Sequence, residues 1–597
     1  MAKARGEIKT EDTWNVEHLY PSLEDWNAYY QAFIQSEPFK KLDAYRGFLH
    51  KNSKSFFECI ELFMKLDRSL SKFYTYAHLK HDEDVGNESA KQAYGLIRFL
   101  YSEFRQAASW IEPEILQIPD DTVTSFLKDP LLEPYVIYLK RVLRLKPHTL
   151  SANEEKLMSL AAKAMQAPAQ IFLAYNNADI VFDFIEDSEG KKHELSHGSY
   201  QVYMHSKDRI LRKSAFESMH KQYQLHENAL AEMLQGQIQG NLFRAKARHY
   251  TTCIQAALFP QEIDPSVYFS LIKAVNHRKD VLHSYIALRK KIFNLDLIHG
   301  YDMSVSCAAH VETKIDFNEA VEILLKSVAV LGEQYCSVLE KGIKEQRWVD
   351  RYENTRKRSG AYSSGCYDSY PYILLNYQGT LSDVMTLAHE AGHSMHTYLS
   401  HKAQPYQYAD YTIFVAEVAS TVNEELVFRF LLNAAKTKEE KLFLINTKID
   451  GIRATFFRQA LFAEFELKIH TLAEEGAPLT PQTFKEIYKE LNHKYYGDAF
   501  CSDDLIQYEC FRIPHFYSQF YVYQYATGIS AAYFLVEKIL KEKDASSYLK
   551  FLSLGCSQNP IELLKVAGVD MSSAESIEML IERFKELTAE LEKYCFQ

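Results

Sequence analysis

A mostly helical fold is predicted for this chain by three features of its sequence. Proline (16) and glycine (21) each stand at about half their usual share of 597 residues, so the residues that end helices are scarce. Apolar residues recur at three- and four-residue spacing through most of the length, the period of a helix buried on one face. Strand signals are densest between Trp348 and Tyr377, which predicts one small sheet in an otherwise helical body.

Taken in order, residues from Ser22 to about Leu145 form a series of amphipathic helices with short breaks such as Ile118-Pro119-Asp120-Asp121, an N-terminal helical lobe over 1–150. Within it, Thr75 to Asp84 places His78 and His81 beside Asp82, Glu83 and Asp84. No further donor completes a ligand set there, so a solvated helix end is expected. Lys146-Pro147 is a break, and Ser151 with Glu154 stands in capping-box spacing at the next helix start. Ile180 to Ile185 alternates, with Ser188-Glu189-Gly190 before His193 to Leu195, which reads as an isolated hairpin. Residues 151–199 are therefore taken as a connecting helix and hairpin region, and 200–597 as the domain that carries the chemistry. In the sheet region, V-D-R-Y, S-G-A-Y-S and Y-I-L-L-N-Y lie between Gly360, Gly365, Pro371 and Gly379. An exposed edge strand there suits a substrate backbone, with Ser359, Gly360 and Ala361 as the candidates and a purely structural strand as the other reading. Helices resume from Thr437, with Thr480-Pro481 as N-cap and first-turn proline.

Composition narrows the function classes. The net charge of −11 and pI near 6.1, with no basic run, argue against a nucleic-acid surface. No run approaches eighteen apolar residues, so no membrane helix is expected, and the start M-A-K-A-R-G-E-I-K-T lacks the apolar stretch of a signal peptide. The nine cysteines are scattered, with no C-x-x-C pair, and read as reduced thiols of a cytoplasmic protein. Cys366 lies near the candidate site and is expected to be a packed small side chain rather than a reactive thiol.

The stretch L-A-H-E-A-G-H-S-M-H-T-Y, Leu387 to Tyr398, carries the chemistry. A helix is predicted here, with Thr380 or Ser382 as N-cap and Val384, Leu387, Ala388, Ala391, Met395 and Leu399 on its apolar stripe. Residues four apart share a helix face, so His389 and His393 can offer two imidazole nitrogens to one metal ion. Glu390 beside them can act as general base toward a water held by that metal. The third ligand is expected from F-V-A-E-V-A-S-T-V-N-E-E, Phe414 to Glu425. Glu417, flanked by Val415, Ala416, Val418 and Ala419, is a carboxylate that needs a cation to receive it. Glu424, two turns on, can hold a ligand histidine from behind, with Glu425 as its alternative.

A second chemical stretch follows at His515, Tyr517, Tyr521, Tyr523 and Tyr525. Tyr517, Tyr521 and Tyr525 would share one helical face. An aromatic stripe is ordinarily core, yet four hydroxyls and an imidazole need polar partners, and peptide hydrolysis needs neutral donors to the developing oxyanion.

H-E-A-G-H-S-M-H together with F-V-A-E-V-A-S-T-x-N-E resembles the oligopeptidase F group of the thimet oligopeptidase family of zinc metallopeptidases. Further blocks are similar to that family: W-N-V-E-H-L-Y-P-S (Trp14 to Ser22), Arg347 to Gly365, Pro371 to Tyr377, Q-P-Y at 404 to 406, and R-I-P-H-F-Y-x-x-F-Y-V-Y-Q-Y-A-T-G (Arg512 to Gly528). The resemblance implies a mostly α fold of two helical lobes around a deep substrate channel, with a small sheet next to the H-E-x-x-H helix. It implies one Zn²⁺ per chain, short peptides as substrates, and a histidine and tyrosines as oxyanion donors, pointing to His515 and Tyr523, with Tyr521 less directly. The expected activity is zinc-dependent hydrolysis of internal bonds in short unstructured peptides. Two other classes compete. A zinc exopeptidase of the aminopeptidase kind should carry a G-x-M-E-N type motif, which the sequence lacks. A helical scaffold with a structural metal should close its site with a fourth protein ligand, for which His396 is the nearest residue.

Overall fold

Side-chain caps open the long helices of the chain. Asn52 accepts from the Ser55 amide to start Ser53–Glu83, and Asn87 accepts from the Ala90 amide to start Glu88–Ala108. In the computed structural model, which describes residues 3–308 and 314–596, helices dominate and two small sheets hold all the strands among the described residues. The chain divides into two units, each assembled from three separated stretches. The first holds Met1–Pro147, Glu312–Phe430 and Leu535–Gly568; the second holds His148–Val311, Leu431–Phe534 and Val569–Gln597. The first passage between them falls at the Lys146-Pro147 break.

In the first unit the two capped helices pack around Trp14, Trp26, Phe73 and Tyr76, and the same core takes in Cys366, Tyr372 and Leu374. The last two belong to a three-stranded sheet: β1 (Val349–Asp350), β2 (Tyr362–Ser364) and β3 (Tyr372–Leu374), in the order β1-β3-β2. β1 runs parallel to β3, and β2 runs antiparallel to it, with Ser363 opposite Ile373. Beneath the sheet Asp350, 1% exposed, meets Arg5 at 2.5 Å and the buried Lys357 at 2.7 Å. Lys357 also donates to the carbonyls of Tyr352 and Leu375, so both charges are buried with partners.

Two expectations need correction here. Ser359 to Ala361 is a turn rather than a strand: Gly360 has φ +86°, and Asn376 Nδ2 donates to the carbonyls of Arg358 and Gly360. The edge strand begins one residue later, at Tyr362. The His78 and His81 segment is not a solvated helix end. Asp82 is 2% exposed and is held by His78 at 3.1 Å, His81 at 2.9 Å and Arg358 at 2.9 Å, with the Tyr362 hydroxyl donating to it. Arg358 and Tyr362 arrive from β2 and the segment that leads into it, which local spacing could not reveal.

In the second unit the hairpin appears as Ile185–Glu186 paired antiparallel with Lys192–His193, turning at Gly190 with φ +76°. Its helices include Arg458–Glu474, preceded by a single π-helical turn over Arg453–Phe457. That helix buries Glu466 and His470.

Candidate metal centre

Helix α1 (Leu381–Ala403) carries the H-E-x-x-H residues and starts at Thr380. The Thr380 hydroxyl accepts from the Asp383 amide while the Asp383 carboxylate accepts from the Thr380 amide, closing a capping box. Val384, Leu387, Ala388, Ala391 and Met395 are fully buried. Helix α2 (Ile413–Ala434) carries Glu417 and Glu424. The two helices touch at Gly392, where a Cβ would lie 2.6 Å from both the Ala419 carbonyl oxygen and the Ser420 Cα. Gly392 therefore sets the approach that brings carboxylates of α2 to the histidines of α1.

His389 Nε2 lies 3.1 Å from His393 Nε2 and 3.6 Å from Glu417 Oε2, and His393 Nε2 lies 4.0 Å from that same oxygen. Behind the cluster, His389 Nδ1 is 2.6 Å from Glu424 Oε1, and the ring of His393 hydrogen-bonds the Ala416 backbone. With those contacts orienting the rings, the two Nε2 atoms face one point. Glu390 is 7% exposed, and its carboxylate accepts from the Ser363 amide of β2.

Electrostatics make the same cluster favourable for a cation. Burial, with the charges of Glu417 and Glu424 adding to it, pushes the Glu390 carboxyl up to about 7. Burial disfavours the His389 cation too, but the hydrogen bond and charge of Glu424 outweigh it and raise that imidazole to about 9. Burial and the charge of His389 push His393 down to about 3. A divalent ion would be drawn to the carboxylates of Glu417 and Glu424 on either side of His389, and two nitrogens with one oxygen suit an ion of borderline softness.

One other trio of potential donors is found among the described residues, His299, Cys501 and Asp503. There the His299 Nδ1 and Asp503 contact is 3.4 Å, and the other Asp503 oxygen takes the amides of Leu505 and Ile506. It lacks the adjacent base and the supporting carboxylate of the first cluster. His396 does not join that cluster: its ring stacks on Tyr411 at 3.6 Å. Glu425 turns to Arg429 at 2.8 Å, so it is Glu424 that meets His389.

The second chemical stretch lies in the second unit. His515 stacks with Tyr521 at 6.2 Å and meets Tyr525 edge-on at 6.0 Å, and the two tyrosines contact each other at 5.5 Å. Tyr523 is apart from this group, 0% exposed and packed on Tyr268 at 5.0 Å. Tyr517 sits in the 3₁₀ turn Pro514–Tyr517 and stacks on Phe172 at 4.5 Å. The expected single face of Tyr517, Tyr521 and Tyr525 is thus broken, and Tyr523, to which the resemblance points together with His515, packs apart from that imidazole while Tyr521 and Tyr525 lie beside it. The cause is Phe520, whose φ of +48° kinks the chain just before the helix Tyr523–Glu542. Its amide donates to buried Glu466 Oε1 at 2.6 Å, which fixes the kink.

A helix bearing two histidines that face one point and an intervening glutamate, served by a carboxylate from a second helix packed on it, defines a metallopeptidase type of site. The family comparisons agree. The model of peptidase family M3 matches residues 202–582, and that of oligopeptidase F matches 114–182. The chain belongs to peptidase family M3. It is 42% identical over 592 residues to oligopeptidase PepF of Bacillus subtilis, covering 99% of this chain and 88% of that protein. It is 37% identical to the group B oligopeptidase PepB of Streptococcus agalactiae, covering 99% and 98%. Among solved structures, oligoendopeptidase F from Enterococcus faecium superposes with a TM-score of 0.74 at 34% identity, over 95% of this chain and 99% of that one. A Chlamydophila abortus chain gives 0.95 at 40% identity over the full length of both. The protein is a metallo-oligopeptidase.

Proposed function

We propose that the chain is a zinc metallo-endopeptidase that hydrolyses internal bonds of short, unstructured peptides, with one Zn²⁺ per chain. The observation that carries this is the convergence of His389 Nε2, His393 Nε2 and Glu417 Oε2 within 3.1–4.0 Å, beside the buried Glu390. In this reading those three residues hold the metal and Glu424 fixes the tautomer of His389. When bound, the ion supplies Lewis acidity, polarising the scissile carbonyl and acidifying the attacking water. Glu390 removes the proton from that water as it attacks and passes it to the leaving amine. The Ser363 amide holds the carboxylate in place for both halves of that transfer. His515, with Tyr523 and less directly Tyr521, is proposed to donate to the developing oxyanion on the strength of the family resemblance, and Tyr525 joins the proposal because its ring clusters with those of His515 and Tyr521. The substrate backbone is proposed to follow the turn Ser359 to Ala361 and the edge strand β2, whose outer side has no strand partner among the described residues. A cytoplasmic setting accords with nine cysteines that are all unpaired, and no helix of the described residues is long and apolar enough to cross a membrane.

The test is cleavage of an internally quenched peptide blocked at both ends, with and without chelator and zinc re-addition, beside an intact folded protein. Zinc-dependent cutting of the peptide alone is expected. Glu390→Gln should lower kcat by about 10²–10⁴-fold with metal content unchanged. Activity retained in that variant would remove Glu390 from the reaction, and cutting only of unblocked peptides would assign an exopeptidase.

A further inference from the structure

The second unit contains a cavity of about 90 Å³ lined by three guanidinium groups, Arg453, Arg458 and Arg512, and by a single carboxylate, Glu509, with Tyr200 and Tyr496 beside them. Arg453 opens the π-helical turn and Arg458 opens the helix that follows, while Glu509 lies in the 3₁₀ segment Ile506–Phe511, which leads into Arg512.

The negative charge present is already shared. Glu509 Oε1 accepts from Arg458 Nη2 at 2.5 Å and from Arg512 Nη2 at 3.2 Å, and Oε2 accepts from the Tyr488 hydroxyl at 2.5 Å. Burial disfavours the Glu509 anion, but the charges of Arg458 and Arg512 outweigh it and hold the carboxyl down to about 2, so it stays ionised. Arg453 Nε is 3.4 Å from Asp450 Oδ1, an oxygen that also faces the fully buried Arg289 at 3.8 Å and accepts from the Tyr285 hydroxyl at 3.1 Å. Four arginines thus rest on two carboxylates, an excess of two positive charges. The Nε of Arg512 is buried with no hydrogen-bond partner. Each feature is unfavourable by itself, because like charges repel strongly away from water and a buried N–H without an acceptor has lost its hydration. One kind of ligand relieves both, an anion with several acceptor oxygens.

We propose that this cavity binds a phosphate group, as the inorganic ion or the end of a phosphate monoester, on Arg453, Arg458 and Arg512. Charge and shape select this class. A group with a charge near −2 matches the excess, whereas a carboxylate brings one charge and two oxygens in a plane. A tetrahedral phosphate can turn its oxygens toward guanidinium forks that arrive from separate elements, the bidentate contact for which arginine is suited. The cavity volume is that of several waters, enough for one phosphate group. No residue of the metal cluster lines the cavity, so occupancy is read by binding and not by turnover.

The experiment is isothermal titration calorimetry of the full-length, metal-loaded protein with inorganic phosphate at constant ionic strength, repeated with glycerol phosphate and with acetate. Saturable binding of phosphate is expected, with acetate about tenfold weaker. Arg453→Gln should weaken phosphate binding by about tenfold, the scale of one charge-assisted contact, and Arg453→Lys by less. Glu509→Gln should act in the opposite sense. With Arg458 and Arg512 released, phosphate should bind more tightly and raise the Tm of this variant more than that of the wild type. A purely structural role for these side chains would move both variants the same way. Glycerol phosphate binding as tightly as the inorganic ion would identify a monoester as the ligand, and its exclusion would identify the free ion; either result supports the site. Absence of saturable phosphate binding to the wild type, or equal affinity for acetate, would overturn the proposal. So would undiminished affinity in Arg453→Gln, because phosphate held by the metal ion itself survives that substitution. Should Arg453→Gln melt too early to titrate, Arg453→Lys set against Glu509→Gln carries the comparison, with the same opposite signs expected.

Discussion

Glu424 touches no part of the metal position itself, yet it governs it, because its 2.6 Å contact with His389 Nδ1 fixes which nitrogen of that ring is free. Glu424→Ala should weaken metal affinity by about 10–100-fold, measured by competition with a chromophoric chelator, while Glu425→Ala should leave affinity near wild type. Glu466 controls the second cluster in a similar way, through the Phe520 amide. Burial pushes its carboxyl from 4.5 up to about 8. A carboxyl that binds its proton more tightly when folded contributes stability that is full below about 4.5 and is lost as pH rises through about 8. Glu466→Gln keeps the acceptor for Phe520 and removes the charge, so it should melt like the wild type at pH 5 and above it at pH 9. A variant that melts lower at both pH values would mean that the carboxylate itself is needed. These two glutamates also mark what can be read from a sequence at this scale. Glu424 was legible because two helical turns separate it from Glu417 on one face. The grouping of His515 with Tyr521 and Tyr525, leaving out Tyr523, was not, because it depends on a positive φ at Phe520 held by a residue 54 positions away.

At the scale of elements, the metal centre is a contact between two helices, and Gly392 is its closest point. A side chain there meets backbone rather than a movable neighbour, so the helices must separate. Gly392→Ala should destabilise the fold by about 1–3 kcal/mol in urea unfolding. It should also weaken metal binding, because Glu417 rides on the helix that is displaced. Wild-type metal affinity with lowered stability would separate the packing role from the site. The start of α1 at Thr380 and its apolar stripe were readable from local spacing, as were the approximate positions of the three strands. The limits of β2 were not, because Gly360 turns the chain where the alternating pattern alone suggested extension, and Asn376, from beyond β3, secures that turn.

For the whole molecule, scarce proline and glycine forecast the helical body, whereas the assembly of each unit from three distant stretches left no local trace. Tyr372 and Leu374 join the core of the N-terminal helices, and Arg5 pairs with Asp350, across more than 300 residues of chain. The metal cluster sits inside the first of these units, on helices that are already capped, packed at Gly392 and backed by Glu424. The ion is therefore expected to add stability without creating the fold. A ligand at a thousand times its Kd stabilises by about 4 kcal/mol, so chelation should lower Tm while leaving the far-ultraviolet helical signal at 25 °C intact and abolishing peptide cleavage. Re-addition of zinc should restore both Tm and activity. Loss of helical signal on chelation at 25 °C would instead identify a structural metal, the case in which folding and ion binding are one event.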